Sequence, residues 1–318
     1  MTELGHSHVP IMADRILGMM LEQKPAPETH LDGTFGRGGH LGRVLEAFPS
    51  LQAVAIDKDL EAISYGRRAF AGEIEKGRVF FVHADFHELA ELIQSGAIPI
   101  GEFDSILFDL GVSSPQFDQA DRGFSFQHEG PLDMRMNQSQ NLTAAHIVNE
   151  WPEDDLVRVF REYGEVEKPM RVVRAIVHDR KETPFRTTRD LSGLIERVEG
   201  WVKKGHHPAT RYFMALRIQV NGELEGLAEA VETAIRFLKT GGRLYVITFH
   251  SLEDRVVKQT FLGLAGLGKT VTRQVIKPEE EEVAENSRAR SAKLRVFERV
   301  DGGFERKKRD KYAHRKGH

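Results

Sequence analysis

Four short apolar runs, each closed by an aspartate, recur in the first third of the chain: Glu28 to Asp32, Gln52 to Asp57, Val79 to Asp85 and Phe103 to Asp109. Between them, Gly39 to Phe48, Asp59 to Phe70 and Phe86 to Ser95 show the apolar spacing of helices. This β-α-β-α-β-α-β order predicts a parallel, doubly wound sheet, because parallel neighbours need a crossover between them. Crossovers of one hand bring all four strand ends to one edge of the sheet, where open α/β folds bind ligands. A single terminal aspartate is an ordinary helix cap. Four of them on one rim predict a binding edge.

The first run leads into Asp32-Gly-Thr-Phe-Gly-Arg-Gly-Gly-His40, with four glycines within seven residues. Strand, glycine turn and helix together present backbone N–H groups and a helix N-terminus to a ligand. The spacing is not G-x-G-x-x-G, and no Gly-Lys-Ser/Thr follows, so nothing is reserved for a pyrophosphate or a phosphate loop. Asp57 is placed to accept from both hydroxyls of a ribose, since a carboxylate is acceptor-only. Asp85-Phe86 offers a polar group beside an aromatic face, suited to adenine. Asp109 opens the loop Leu110–Gln116. The rim therefore fits an adenosine with a charged amino-acid tail, S-adenosylmethionine (SAM), better than NAD. A nucleotide-binding domain without methyl transfer and a dehydrogenase stay open at this point, because a fold alone does not separate them.

The remaining chain has a different texture. Val9 to Met20 reads as a helix broken by Pro25-Ala-Pro27. From Pro115 to about Arg217, helical patterns replace the alternation, with basic residues such as Arg171, Arg174, Arg180 and Lys181 recurring. The expected organisation is a sheet domain over 1–115 and 218–318 with a helical domain, 116–217, inserted between its fourth and fifth strands. Val220 to Leu238 reads as one long helix ended by Gly241-Gly242, followed by a fifth strand at Arg243–Phe249 and a helix at Glu253–Leu262. A less ordered, charged segment is expected up to Arg290, then a final strand at Lys293–Arg299.

Composition excludes several classes. Cysteine is absent from the 318 residues, which removes disulfide frameworks, thiolate nucleophiles and cysteine zinc sites. Met1 to His8 lacks the apolar centre of a signal peptide, and no apolar run approaches a membrane span, so a cytoplasmic protein without a membrane partner is expected. The net charge of −3 conceals an acidic block, Glu279–Glu282, and a basic tail, Arg306–Arg309, able to touch phosphates.

Longer motifs carry a resemblance. His8-Val-Pro-Ile-Met12, the Asp32–His40 loop, Asp57-Lys-Asp59, Asp109-Leu-Gly-Val-Ser-Ser-Pro-Gln116, Arg122-Gly-Phe-Ser-Phe126 and Gly130-Pro-Leu-Asp-Met-Arg135 are followed by His207-Pro-Ala-Thr-Arg211, Phe249-His-Ser-Leu-Glu-Asp-Arg255 and Arg288-Ala-Arg-Ser-Ala-Lys-Leu-Arg295. In this order they resemble the RsmH (MraW) family of SAM-dependent methyltransferases, which modify N4 of a cytidine in 16S ribosomal RNA. Met214 departs from the family's usual Gln, and Ser287 from its frequent Pro. The resemblance implies a Rossmann-like class I methyltransferase sheet, SAM as methyl donor and the small ribosomal subunit as partner. It implies cofactor contacts at Gly38, Gly39, His40, Asp57, Phe86, Asp109 and Gln116, five of which the rim also suggests.

Methyl transfer to an exocyclic amine needs no covalent nucleophile. It needs acceptors that hold the amine in line. Ser113-Ser-Pro-Gln-Phe117 looks like a relative of the Ser/Asn/Asp-Pro-Pro-aromatic motif of amino-methylating DNA enzymes, which makes Asp109, Ser114 and Pro115 the candidate catalytic residues. Phe124 and Phe126 are candidates to stack on an unstacked base, Arg135 and Arg211 to contact phosphates, and His250 to wall the site. His250 with nearby acids lacks persuasive ligand spacing, so no metal is expected. A SAM enzyme acting on DNA or protein, and an inactive SAM- and RNA-binding ribosome assembly factor, are the alternatives. Oligomeric state, a homodimer included, is not legible.

Overall fold

A computed structural model describes residues 10–200, 207–272 and 274–301, apart from the side chains of Ser114 and Pro115. Strands β1 (Thr29–Asp32), β2 (Gln52–Asp57), β3 (Val79–His83), β4 (Phe103–Asp109) and β5 (Leu238–Thr248) are parallel. Strands β6 (Gly268–Thr270) and β7 (Lys293–Arg299) add antiparallel pairs at one side, giving the order β3-β2-β1-β4-β5-β7-β6. From β1 the chain winds outward one way to β2 and β3, then returns to β4 on the other side of β1. That reversal opens a crevice at the carboxyl ends of β1 and β4. Asp32, beside Leu107 of β4, and Asp109, beside Ile247 of β5, lie at its mouth.

Strands β2 and β4 carry nearly continuous buried runs because both faces of the sheet are covered there. Alternation within β2 shows it: Val54 and Ile56 join one core with Ile106, Phe108, Leu227 and Val231, while Ala53 and Ala55 join the other with Leu41, Val44, Leu107 and Tyr245. A third apolar cluster, from Phe124 to Val220, is built by helices Ala144–Glu150, Glu153–Glu162, Met170–Asp179, Thr188–Glu199 and Ala209–Asn221. These helices lie between β4 and β5 in sequence. No helix among the described residues is long and apolar enough to cross a membrane.

Several expectations need correction. The third strand stops at His83, and Asp85 instead caps the short turn Phe86–Glu88, in a capping box with Glu88. The expected helix Val220 to Leu238 is two helices. Ala209–Asn221 ends at Gly222 in the left-handed region (φ 60°), and Leu227–Arg236 begins afterwards. The apolar period runs through the break because Val220 and Leu227 are both buried, so spacing alone does not show the turn. Gly241-Gly242 lies inside β5, opposite a register shift between Phe103 and Ser105, and does not cap a helix. The segment expected to be less ordered holds β6, a helix at Glu280–Glu285 and a turn at Ser287–Ser291. Three residues, Gly268-Lys-Thr270, are too few to show strand alternation. The basic tail Arg306–Arg309, the Met1–Val9 segment, Lys203 and Lys204 lie outside the described residues.

Gly222 is the residue whose backbone turns the chain from the helical cluster back toward the sheet. Alanine there adopts a left-handed conformation at a cost of about 1–2 kcal/mol. Gly222→Ala is expected to lower the urea midpoint without changing the m-value.

Candidate active site at the strand ends

The glycine loop is shaped first by packing. Gly38 has φ 72° and starts helix Gly39–Ala47, and a Cβ on it would lie 2.5 Å from the Phe35 ring and 2.8 Å from that of Phe70. A Cβ on Gly39 would press on Pro10 at 3.1 Å. This tight loop delivers His40, buried, to the sheet edge with its Nε2 3.6 Å from Asp109 Oδ2. Asp32 lies in the same corner, and burial pushes its carboxyl up to about 7. His40 Nε2 and Asp109 Oδ1 are buried with no hydrogen-bond partner. Leaving a buried polar atom unpaired costs about 1–3 kcal/mol. The corner is thus built for a ligand that donates, and a cationic ammonium is suited to two carboxylates.

Asp57 stands at the end of β2. Its Oδ2 accepts from the N–H of Gly36 at 2.7 Å and its Oδ1 from that of Asp59 at 2.8 Å. Each carboxylate oxygen has a second lone pair, so both can still accept from a diol. Burial raises the Asp57 carboxyl to about 6 against these hydrogen bonds.

Asp59 caps helix Leu60–Ala69 and ties the rim to the loops beyond it. Its Oδ2 takes the Gln116 amide at 2.8 Å and the Arg122 guanidinium at 3.0 Å. Gln116 Oε1 in turn accepts from the Ser113 N–H at 3.0 Å. Arg122, 3% exposed, also donates to the carbonyls of Arg135 and Met136 at 3.0 and 3.1 Å. Sequence reasoning quoted Arg122 in a motif and gave it no role. The available signal was a second acid, Asp59, two residues after the strand-end acid. Gln116 is occupied on both sides, so it holds the loop and keeps one N–H for a ligand.

Other expected residues are placed differently. Phe86 packs on Phe108, with centroids 4.7 Å apart, and stacks on His87 at 4.2 Å. Asp85 is well below the ordinary carboxylate range: burial opposes this, and the His87 hydrogen bond with the Lys58 charge outweighs it. Phe124 is buried in the helical cluster, and Phe126 packs on His207 and Phe213, with centroids 4.4 and 4.9 Å away. Phe124 is thus turned into the core, while Phe126 stays half-buried. Arg135 is bound bidentately by Asp133 at 2.8 and 2.7 Å and donates to the Gln138 and Gln140 carbonyls, which leaves it little for a phosphate. Local pairing at a two-residue spacing is invisible to a count of basic residues. Arg211 donates to the Glu165 carbonyl at 3.2 Å and is exposed.

His250 caps helix Ser251–Gly263, with its Nε2 3.0 Å from Glu253 Oε1. Glu223, His250 and Glu253 each bring one donor atom within 4.8 Å of the others, a spacing open to a metal ion. Arg217 already grips Glu223 bidentately at 2.8 and 2.7 Å, which neutralises one of the two carboxylates. Ser114 and Pro115 open helix Ser114–Asp118, and their side chains lie outside those described.

Residues 5–300 match the model of the MraW methylase family. The chain belongs to this family. It is 53% identical over 298 residues to a ribosomal RNA small subunit methyltransferase H from Bdellovibrio bacteriovorus, covering 93% of this chain and 89% of that one. A protein of the same name from Caldicellulosiruptor bescii is 41% identical, over 92% of this chain and 99% of that one. Another from Shewanella loihica is 42% identical, over 94% and 99%. The chain is thus a methyltransferase whose methyl donor is SAM. The corner has acceptors suited to that donor: an unpaired oxygen on Asp109, and lone pairs on Asp57 that its two backbone hydrogen bonds leave free.

Two expectations follow. Asp57 can accept from both hydroxyls of a diol only as the carboxylate, and acidification through about 6 protonates it. SAM affinity measured by calorimetry should fall as pH drops from 7 to 5, by about tenfold per unit below the pKa. Asp57→Asn should weaken binding at pH 8 and make that limb shallower, the remainder belonging to Asp32, whose carboxyl lies at about 7. Arg122→Met strands the Asp59 charge and should cost about 3–5 kcal/mol in urea unfolding, with Asp59→Asn in the same chain recovering part of it.

Proposed function

We propose that this protein transfers a methyl group from SAM to N4 of a cytidine in the decoding region of 16S ribosomal RNA. The observation that carries the chemistry is the buried corner where His40 Nε2 and Asp109 Oδ1 await a partner beside the loop that leaves β4. The choice of substrate is supported by the names of relatives that align along nearly the whole chain. We assign Gly38, Gly39 and His40 to the methionine end of SAM, Asp57 to the ribose, the Asp85–Phe86 turn to the adenine, and Asp109 to the ammonium side. Gln116 supports the wall between them.

SAM, when bound, supplies a methyl group activated on a sulfonium. The N4 amine is a poor nucleophile because its lone pair is delocalised into the ring. The loop from Leu110 to Gln116, with Ser114 and Pro115, must therefore accept the amine hydrogens and hold nitrogen in line with the methyl carbon. The N–C bond forms as the S–C bond breaks, the bonding pair stays on sulfur, and the amine loses one proton to an acceptor of this loop or to water. The target base must leave its stack to reach the loop. We take residues 116–217 as the unit that contacts RNA, because their own apolar cluster lets them stand over the rim as one body. The partner is then the small ribosomal subunit or its RNA, in the cytoplasm.

The test is incubation with tritiated SAM and either naked small-subunit RNA or assembled subunits, followed by nucleoside mass spectrometry. N4-methylcytidine is expected. Label on cytosine C5, on ribose or on no RNA would overturn the assignment. Asp109→Ala should lower kcat/KM by about 100-fold or more, the scale of losing one preorganised electrostatic contact.

A further inference from the structure

Away from the rim corner, a cleft of about 540 Å³ is walled by Lys258, Gln274, Val275, Lys277 and Arg295. Its cations come from three elements: helix Ser251–Gly263, the segment whose Ile276 bridges to Leu294, and β7. Arg295 and Lys293 lie two residues apart on β7 and so share a face of the sheet. Lys293 pairs in register with Thr248, the last residue of β5. Lys293, two residues from the cleft's Arg295, therefore stands at the sheet edge that carries Asp109.

Among the described residues one carboxylate pairs with this group: Asp254, which takes Arg295 at 2.7 Å and Lys293 at 3.4 Å. Four cations, Lys258, Lys277, Lys293 and Arg295, against one acid leave three positive charges. Lys258 and Lys277 have no ion-pair partner among the described residues. Exposed lysines are commonly just solvated. These two instead line one cleft together with an anchored arginine, and like charges gathered along a concave wall concentrate positive potential.

We propose that this cleft holds backbone phosphates of the RNA strand flanking the target nucleotide, with Lys258 and Lys277 as the contacting groups and Asp254 fixing Arg295 as the wall between them. The proposal rests on the RNA reading above. A base drawn out of its stack leaves its neighbours to be held by something other than stacking, and phosphate contacts fix position without reading sequence.

Counterion release makes the test quantitative. Each single-strand phosphate neutralised contributes about 0.7 to the slope of log K against log salt. A fluorescein-labelled RNA fragment spanning the decoding region is titrated with the full chain at several potassium chloride concentrations. Lys258→Gln/Lys277→Gln should weaken binding and reduce the slope by about 1.4, two contacts at about 0.7 each. SAM affinity and the urea midpoint should match the parent chain, and Lys258→Arg/Lys277→Arg should keep the slope. A slope equal to that of the parent would overturn the proposal. Saturable binding of inorganic phosphate, lost in the same double variant, would assign the cleft to a free anion and overturn the RNA assignment. A parent chain that binds SAM and shows no affinity for the RNA would overturn the substrate reading, and this cleft's role with it.

Discussion

The ion pair between Arg122 and Asp59 is the joint on which the site depends. Both side chains are almost fully buried, so each charge is tolerable only while the other is present. Asp59 belongs to the sheet, where it caps helix Leu60–Ala69, and Arg122 belongs to the loops that lead into the helical cluster. Through Gln116 the same carboxylate fixes the loop after β4, and through two carbonyls the same guanidinium fixes Arg135 and Met136. Asn221 repeats the idea from the far end of the helices, accepting from the Met136 N–H at 2.7 Å and donating to the Met134 carbonyl at 2.8 Å. Those bonds close the cluster on itself, and the Lys58 ammonium, beside Asp57, donates to the Asn221 carbonyl at 3.4 Å, so the cluster is tied to the rim at its entry and at its exit.

The rim corner has the opposite energetic character. Asp32 is buried with its carboxyl pushed toward neutrality, and His40 and Asp109 keep unpaired atoms. Such a corner costs stability while its polar atoms lack partners, and a group that donates to the Asp109 carboxylate offsets that cost. Rigid surroundings are required for this to hold. Phe35, Phe70 and Phe81 supply them under the glycine loop, with ring contacts at 4.9 to 6.1 Å.

The sheet was legible because its signal is local and redundant. The runs Gln52–Asp57, Phe103–Asp109 and Lys293–Arg299 are strands over the ranges their patterns predict. Errors fell where the signal was short or shared. Gly268–Thr270 is too brief to alternate, and burial on both sides of Gly222 disguised a turn as continuous helix. The site was legible in part. Aspartates that close parallel strands must share an edge, so Asp32, Asp57 and Asp109 could be grouped before any coordinates. Phe124, Phe126 and Arg135 could not be judged, because an aromatic or an arginine on a loop has the same letter whether it faces solvent, a core or Asp133.

By itself the sequence determined the order of strands and helices, the edge at which the acids collect, the glycine loop and the family to which the chain belongs. All of these follow from periodicity, chain direction and residue identity along one dimension. The tertiary structure alone decided which polar groups are paired and which are left waiting. Asp59 is spent on Arg122 and Gln116, whereas Asp109 keeps an unpaired oxygen. The physical reason is that a buried charge is settled by partners distant in sequence, 57 positions away for Gln116 and Asp59, and only folding brings them within hydrogen-bond reach.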